Sequence, residues 1–318
     1  MNNHLKITRI DLNDPKSIAA AGAERKLFTH YGLDYKVHSV ELKGPPLRVR
    51  VLEVGSGEPV LMVPGGSGDA CFFAPLMAEL KGWRFIAVNR PGGGMSDGVD
   101  HRQVDLTQFA LHVLSSVMDA FGLKSAPVIC NSMGGHWAFR LALAHPERVA
   151  KMAQMGCPAL LLNTSAPFFM RLISVPGVNR LILPNMQPKS MEKGLDGLRF
   201  QGSRKEDIDA MPRVTAEAAY HFFNLPTYLD TWITVISAIT TLTGANPKYQ
   251  LRADQLQRVQ QPALFVWGDN DPFGGLNVAR QAVGLMPKAK LHEMKTGHLP
   301  FLDNPAECGR VIREFLSQ

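Results

Sequence analysis

The chain has 318 residues, 45% of them hydrophobic and 19% charged, which are the proportions of a globular protein with a sizeable core and exclude a disordered one. Its net charge of +6 comes from scattered lysines and arginines that form neither a run nor an aromatic-spaced stripe, which argues against a nucleic-acid partner. The four cysteines, Cys71, Cys130, Cys157 and Cys308, are widely spaced and show neither a disulfide pattern nor a paired metal spacing.

From the start, Met1 to Asp11 alternate polar and apolar groups and do not read as a signal peptide. No later stretch approaches the roughly 20 uncharged apolar residues of a membrane span, so a cytoplasmic location is expected. A helix is predicted over Ser17 to Tyr31. Two strands follow, Lys36 to Leu42 and Leu47 to Val54, turned by Gly44-Pro45-Pro46 and reading as an antiparallel hairpin at a sheet edge.

From Pro59 short, wholly apolar strands alternate with helices, the pattern of a parallel sheet covered on both faces. The strands are Pro59 to Val63, Phe85 to Val88, Pro127 to Cys130 and Met152 to Met155; helices are predicted over Phe72 to Leu80, Asp105 to Phe121 and onward from His136 to near Pro146. The alternation stops at about Leu161 and resumes near Val259. The stretch between is rich in Phe, Met, Leu and Pro, with helices around Phe168 to Ile173, Thr215 to Phe223 and Tyr228 to Thr240. It has the size of an inserted helical lid. A last strand-helix-strand-helix run closes the chain: Gln261 to Trp267, Leu276 to Leu285, Lys290 to Met294 and Pro305 to Leu316. The predicted fold class is therefore α/β, a mostly parallel doubly wound sheet built from residues 1–160 and 260–318, with a helical cap inserted over residues 161–259.

Chemistry gathers past the carboxyl ends of the strands, where open parallel sheets bind ligands. Cys130-Asn131-Ser132-Met133-Gly134-Gly135 puts a serine on a strand-to-helix corner flanked by small residues, which exposes its hydroxyl beside the next backbone N–H. Trp267-Gly268-Asp269-Asn270-Asp271-Pro272 and Thr296-Gly297-His298-Leu299-Pro300 follow the last two strands. Ser, then Asp, then His in that order is what a serine hydrolase on such a sheet requires: imidazole takes the serine proton, and a carboxylate fixes the imidazole's tautomer and stabilises its charge. Asp269 and Asp271 compete for the acid role; Asp271 is preferred because its wider spacing from Trp267-Gly268 matches the usual pattern. Two glycine loops, Pro64-Gly65-Gly66-Ser67-Gly68 and Asn89 to Asp97, have neither a P-loop ending nor a dinucleotide fingerprint. His292-Glu293 lacks the second histidine of a zincin helix. Neither a metal nor a cofactor is expected.

On these motifs the chain resembles the α/β-hydrolase superfamily from the hairpin at Lys36 to the final helix. The resemblance implies Ser132 as nucleophile, Asp271 as acid, His298 as base, and an oxyanion hole made of the backbone N–H groups of Gly66 and Met133. Asn89 to Ser96 resembles the family's Asp-x-x-Gly-x-Gly-x-Ser loop. Three departures stand out: Pro64 replaces the family's histidine, Asn89 its aspartate, and Cys130 the glycine two residues before the nucleophile. A serine nucleophile excludes the aspartate-using dehalogenase and epoxide-hydrolase branches.

The expected reaction is acyl transfer through an acyl-enzyme, first of all hydrolysis of a carboxylic ester of a small to medium apolar substrate. The lid's Phe168, Phe169, Met170, Tyr220, Phe222, Phe223 and Trp232 suggest an apolar pocket, with packing on the core accounting for at least half of them. The alternative is carbon–carbon hydrolysis of a dienoate ring-cleavage product, whose family has an elbow like Asn-Ser-Met-Gly-Gly but usually tryptophan where Leu299 stands. A third reading is a ligand-binding protein on a hydrolase scaffold. Monomer and homodimer both stay open.

Overall fold

The computed structural model describes residues 5–66 and 68–318; Met1 to His4 of the N-terminal segment and Ser67 of the first glycine loop lie outside the described residues. Eight strands form the main sheet: β1 (Tyr35–Glu41), β2 (Arg48–Gly55), β3 (Glu58–Val63), β4 (Trp83–Val88), β5 (Ala126–Asn131), β6 (Val149–Met155), β7 (Ala263–Gly268) and β8 (Ala289–Met294). Their order is β8-β7-β6-β5-β3-β4-β2-β1. The pairs β1–β2 and β2–β4 are antiparallel and the rest parallel, which is the expected sheet with an antiparallel hairpin at one edge.

The central strands are apolar on both faces because both are covered. Val60 and Met62 of β3 enter one core cluster, with Leu27 and Phe28 of α1 (Pro15–His30), Met77 of α2 (Ala74–Glu79) and Ile312 far down the chain. Leu61 and Val63 enter the other, with Leu114 of α3 (Leu106–Ala120) and Phe139 of α4 (Ser132–Ala144). All four β3 side chains are fully buried, each contributing about 1.5–3 kcal/mol of hydrophobic transfer. Asp14 accepts from the N–H of Lys16 to cap α1, and Asp105 accepts from Thr107 and Gln108 to cap α3.

Between β6 and β7 the chain runs through α5 (Phe168–Ile173), α6 (Val178–Met186), α7 (Lys205–Ala210), α8 (Arg213–Phe223), α9 (Tyr228–Ile239) and α10 (Ala253–Gln257). The remaining helices are α11 (Leu276–Leu285), α12 (Pro300–Asp303) and α13 (Pro305–Leu316). The helix expected over Phe72 to Leu80 is split: Ala70–Phe73 is a 3-10 turn and α2 starts at Ala74, with Pro75 in its first turn, where the missing N–H costs nothing. The helix expected to reach Thr240 stops at Ile239, because Thr240 is extended and pairs with Ala245. Sequence periodicity missed α6, whose interior holds Pro184, and the two-residue pairing of Ile7–Thr8 with Gly98–Val99. Among the described residues no helix is long and apolar enough to cross a membrane.

The chain leaves β3 through α2 to β4 on one side, then returns through α3 to β5 on the other. That reversal opens a crevice at the carboxyl ends of β3 and β5, where the first glycine loop and Ser132 meet.

Candidate active site

Ser132 is the first residue of α4 and has φ +50°, a left-handed conformation that a side chain of this kind adopts only when its surroundings impose it. The surroundings leave no room for alternatives. A Cβ on Gly134 would collide with the Val63 carbonyl, and one on Gly135 with the Gln154 amide. The turn is thus wedged between the end of β3 and the β6 side chain beneath it. Ser132 remains partly accessible while Asn131 and Met133 beside it are buried.

The acid and base meet at the ends of β7 and β8. His298 Nδ1 lies 2.7 Å from Asp271 Oδ2, and both residues are buried. The same Oδ2 accepts from the Cys157 N–H at 2.7 Å, and Oδ1 accepts from the Phe273 N–H at 2.9 Å. Three donors therefore hold the carboxylate in one orientation. With Nδ1–H committed to Asp271, the other ring nitrogen is left as an acceptor, and His298 Nε2 is buried without a partner among the described residues. Gly156, at φ +64°, passes so close that a Cβ there would press on His298 and Asp271. Asp269 is elsewhere: Arg204 of the inserted segment donates to both its oxygens at 2.8 and 3.0 Å. Of the two competing acids, it is Asp271 that the structure brings to the histidine.

Asn131 ties the two halves together. Its amide donates to the carbonyls of Met155 at 2.8 Å and His298 at 3.2 Å, so the residue before the serine braces the histidine loop. The His298 N–H in turn donates to the Gln201 carbonyl of the inserted segment at 2.8 Å.

The first glycine loop lies against the serine: a Cβ on Gly65 would sit 3.1 Å from Ser132 Cβ. Arg90, buried, holds this loop from the far side. Its Nε donates to the Pro64 carbonyl at 3.0 Å and its Nη2 to the carbonyls of Gly65 and Gly66, the latter at 3.1 Å. A trans peptide places N–H opposite C=O, so the Gly65 carbonyl on Arg90 turns the Gly66 N–H away from the guanidinium. The Met133 N–H, in the first turn of α4, has no intrahelical partner. Burial pulls the Arg90 guanidinium down to about 10, against the opposing pull of Asp69. Arg90 stands in the loop Asn89 to Asp97, yet its role had no signal in the sequence, since its partners are backbone carbonyls more than twenty positions away.

The three departures each have a local account. Pro64 offers its carbonyl to Arg90. Asn89 Oδ1 accepts from the Ala70 N–H at 2.8 Å, while the Asn89 carbonyl accepts from Ser96 Oγ at 2.8 Å. Cys130 Sγ lies 3.2 Å from Gln154 Oε1, in the space beneath the elbow, and burial pushes its thiol well above the ordinary range.

Of the aromatic and methionine set in the inserted segment, Trp232 reaches the site loop: its Cη2 would be 3.1 Å from a Cβ on Gly66. Phe222 is core, and Phe223 stacks on Tyr228. Phe169 and Met170 pack on a small cluster around Ile173 and Ile236, while Phe168 is 63% exposed. Tyr220 rests edge-on against His221.

Known proteins share this fold. The family described as the alpha/beta hydrolase fold matches residues 58–305. A 2-hydroxy-6-oxononadienedioate/2-hydroxy-6-oxononatrienedioate hydrolase of Paraburkholderia phymatum is 29% identical over 287 residues, covering 86% of this chain and 93% of its own. One of the same name from Cupriavidus pinatubonensis is 26% identical over 309 residues, covering 95% and 98%. Among solved structures, the carboxylesterase CesB from Bacillus subtilis superimposes with a TM-score of 0.72 at 15% identity, covering 95% of this chain and 98% of that one. The 2-hydroxy-6-oxo-6-phenylhexa-2,4-dienoate hydrolase BphD from a Rhodococcus strain gives 0.69 at 18%, covering 90% and 100%. At such identities the two structures share the fold alone.

Proposed function

The chain belongs to the alpha/beta hydrolase fold family and is a hydrolase, and from that premise we propose that it cleaves the carbon–carbon bond of a 2-hydroxy-6-oxo-dienoate through an acyl-enzyme on Ser132. The observation that carries the chemistry is the 2.7 Å contact of His298 Nδ1 with Asp271, which leaves Nε2 free to take a proton. The substrate class is supported by relatives of that activity that align over most of both chains. Their support turns the preference from an ester toward the carbon–carbon bond.

In this mechanism Ser132 Oγ attacks the 6-oxo carbon and its proton passes to His298 Nε2, while Asp271 holds the Nδ1 proton and offsets the imidazolium charge. The oxyanion receives the N–H groups of Gly66 and Met133, a pair whose individual loss costs about 100-fold or more. The bond breaks from the 2,6-dioxo tautomer, formed beforehand by a shift of the 2-hydroxyl proton to C5. The C5–C6 electron pair spreads through the C3–C4 double bond onto the 2-oxo oxygen, the acyl carbonyl re-forms on Ser132, and the dienolate takes the proton back from His298. Water, activated by the same imidazole, releases the acyl group. The inserted helices act as the cap, Trp232 walling the acyl side at Gly66 and the Gln201 carbonyl holding the His298 N–H.

Ester hydrolysis is the second reading, favoured by Leu299 where the carbon–carbon hydrolases usually carry tryptophan. The two separate when wild type and Ser132→Ala are given a 2-hydroxy-6-oxo-dienoate, followed by loss of its conjugated chromophore, and p-nitrophenyl esters of increasing acyl length. Repeated dienoate turnover that the variant lacks is expected. Turnover of esters alone sinks the carbon–carbon assignment; slow single labelling without turnover of either substrate leaves a binding protein on a hydrolase scaffold.

A further inference from the structure

A cavity of about 360 Å3 lies at the seam between the core and the inserted helices, and none of Gly66, Ser132, Asp271 or His298 lines it. One wall comes from the N-terminal segment and the turn after Val99, the other from the start of α6 and one face of α9. Its charge is unbalanced. Arg102 is spent on Asp100, donating from Nε at 2.9 Å and Nη2 at 2.6 Å. Lys6 and Arg180 also line the cavity, and among the described residues neither side chain has a hydrogen-bond or ion-pair partner. Against these three cations stand two carboxylates on the lining, Asp100 and Asp230.

The floor is unbalanced in a second way. Thr227 is 2% exposed, lines the cavity, and its Oγ1 is buried without a hydrogen-bond partner. Asn179, also on the lining, is 3% exposed and makes no side-chain hydrogen bond among the described residues. An unsatisfied buried hydroxyl is costly, and a group that bonds it recovers that cost. Unpaired cations at the rim and unpaired hydroxyl and amide groups below them describe a receptor for an anion with polar atoms at both ends.

We infer that this seam binds a small organic carboxylate, one end paired with Lys6 and Arg180 and the other bonded to Thr227 and Asn179. The site is separate from the serine chemistry and does not rest on the substrate assigned above. Its walls belong to both the core and the inserted segment, and α9 is already pinned there by Thr231 Oγ1, which donates to the Gly92 carbonyl at 3.2 Å.

The test is calorimetric titration of the full chain with succinate at low salt, on wild type, the exposed double variant Lys6→Ala/Arg180→Ala, and Thr227→Val, which keeps the side-chain shape. Saturable binding to wild type that weakens about tenfold or more in the double variant, weakens in Thr227→Val, and falls off as salt is raised toward about 1 M is the expected result. Absence of binding to wild type, or an unchanged affinity in a double variant that melts like wild type, overturns the proposal. Inorganic phosphate binding as tightly as succinate overturns the two-ended carboxylate assignment.

Discussion

Arg90 donates to the Gly65 carbonyl from inside the protein, and the same guanidinium reaches the carbonyls on either side. The proposed mechanism needs the loop's N–H groups aimed outward before charge develops, and holding the carbonyls inward does that through the planar peptide. Arg90→Lys keeps the charge but loses the planar fork. Its kcat is expected to fall about 100-fold, with a much smaller change in KM. Steady-state kinetics beside a thermal melt separate this from unfolding; a variant with wild-type kcat would show that the loop holds its shape without Arg90.

The two aspartates after β7 have divergent roles in the geometry. Asp271 orients His298, whereas Asp269 pairs with Arg204 on a partly exposed surface. Asp271→Asn is expected to lower kcat by about 10,000-fold, because an amide can favour the wrong imidazole tautomer. Asp269→Asn is expected to stay within about threefold of wild type, as exposed ion pairs contribute little. Comparable losses in both variants would mean that the acid has been misassigned.

Trp232 sits against Gly66, so in the proposed mechanism its indole limits the space beside the carbonyl under attack. Trp232→Ala is expected to shift preference toward substrates with bulkier acyl groups, by about tenfold in the ratio of kcat/KM values, with Trp232→Phe between. Matched substrates differing in acyl size measure it. An unchanged ratio would place the acyl group elsewhere.

What the sequence made legible divides along contact distance. Ser132 and Asp271 each follow a largely buried apolar strand, whereas β8 before His298 carries Lys290, His292 and Glu293. What all three share is a glycine beside the corner past a strand's carboxyl end, and that local pattern located them. The strands themselves emerged because β3 and β5 cannot tolerate a polar face. What escaped depends on encounters between remote segments: Arg90 under the loop from Pro64, Asn131 on the His298 carbonyl, Trp232 on Gly66. No periodicity encodes those. The helix α6 escaped for a local reason, since Pro184 in its interior argues against a helix that surrounding contacts nonetheless support.

The loop that carries Arg90 is anchored at its far end by Asp97, whose side chain is fully buried. Asp97 accepts from the Ile10 N–H at 3.0 Å and the Arg48 N–H at 2.9 Å, and pairs with the guanidinium groups of Arg48 and Arg9. Burial alone would raise its pKa, but the Arg48 bonds, followed by those from Ile10 and Arg9, outweigh it and hold the carboxyl below its ordinary 3.8. A depressed folded-state pKa means that the stabilisation is fully present above the unfolded value and is lost as pH falls through the folded one. Asp97→Asn is therefore expected to cost about 3 kcal/mol at neutral pH, since it strips charge from a buried pair and leaves two guanidinium groups behind. Denaturant melts of wild type and variant across pH 7 to 2 should converge as the pH drops below about 4. A gap that stays constant down to pH 2 would mean that the Asp97 charge contributes nothing to holding this loop.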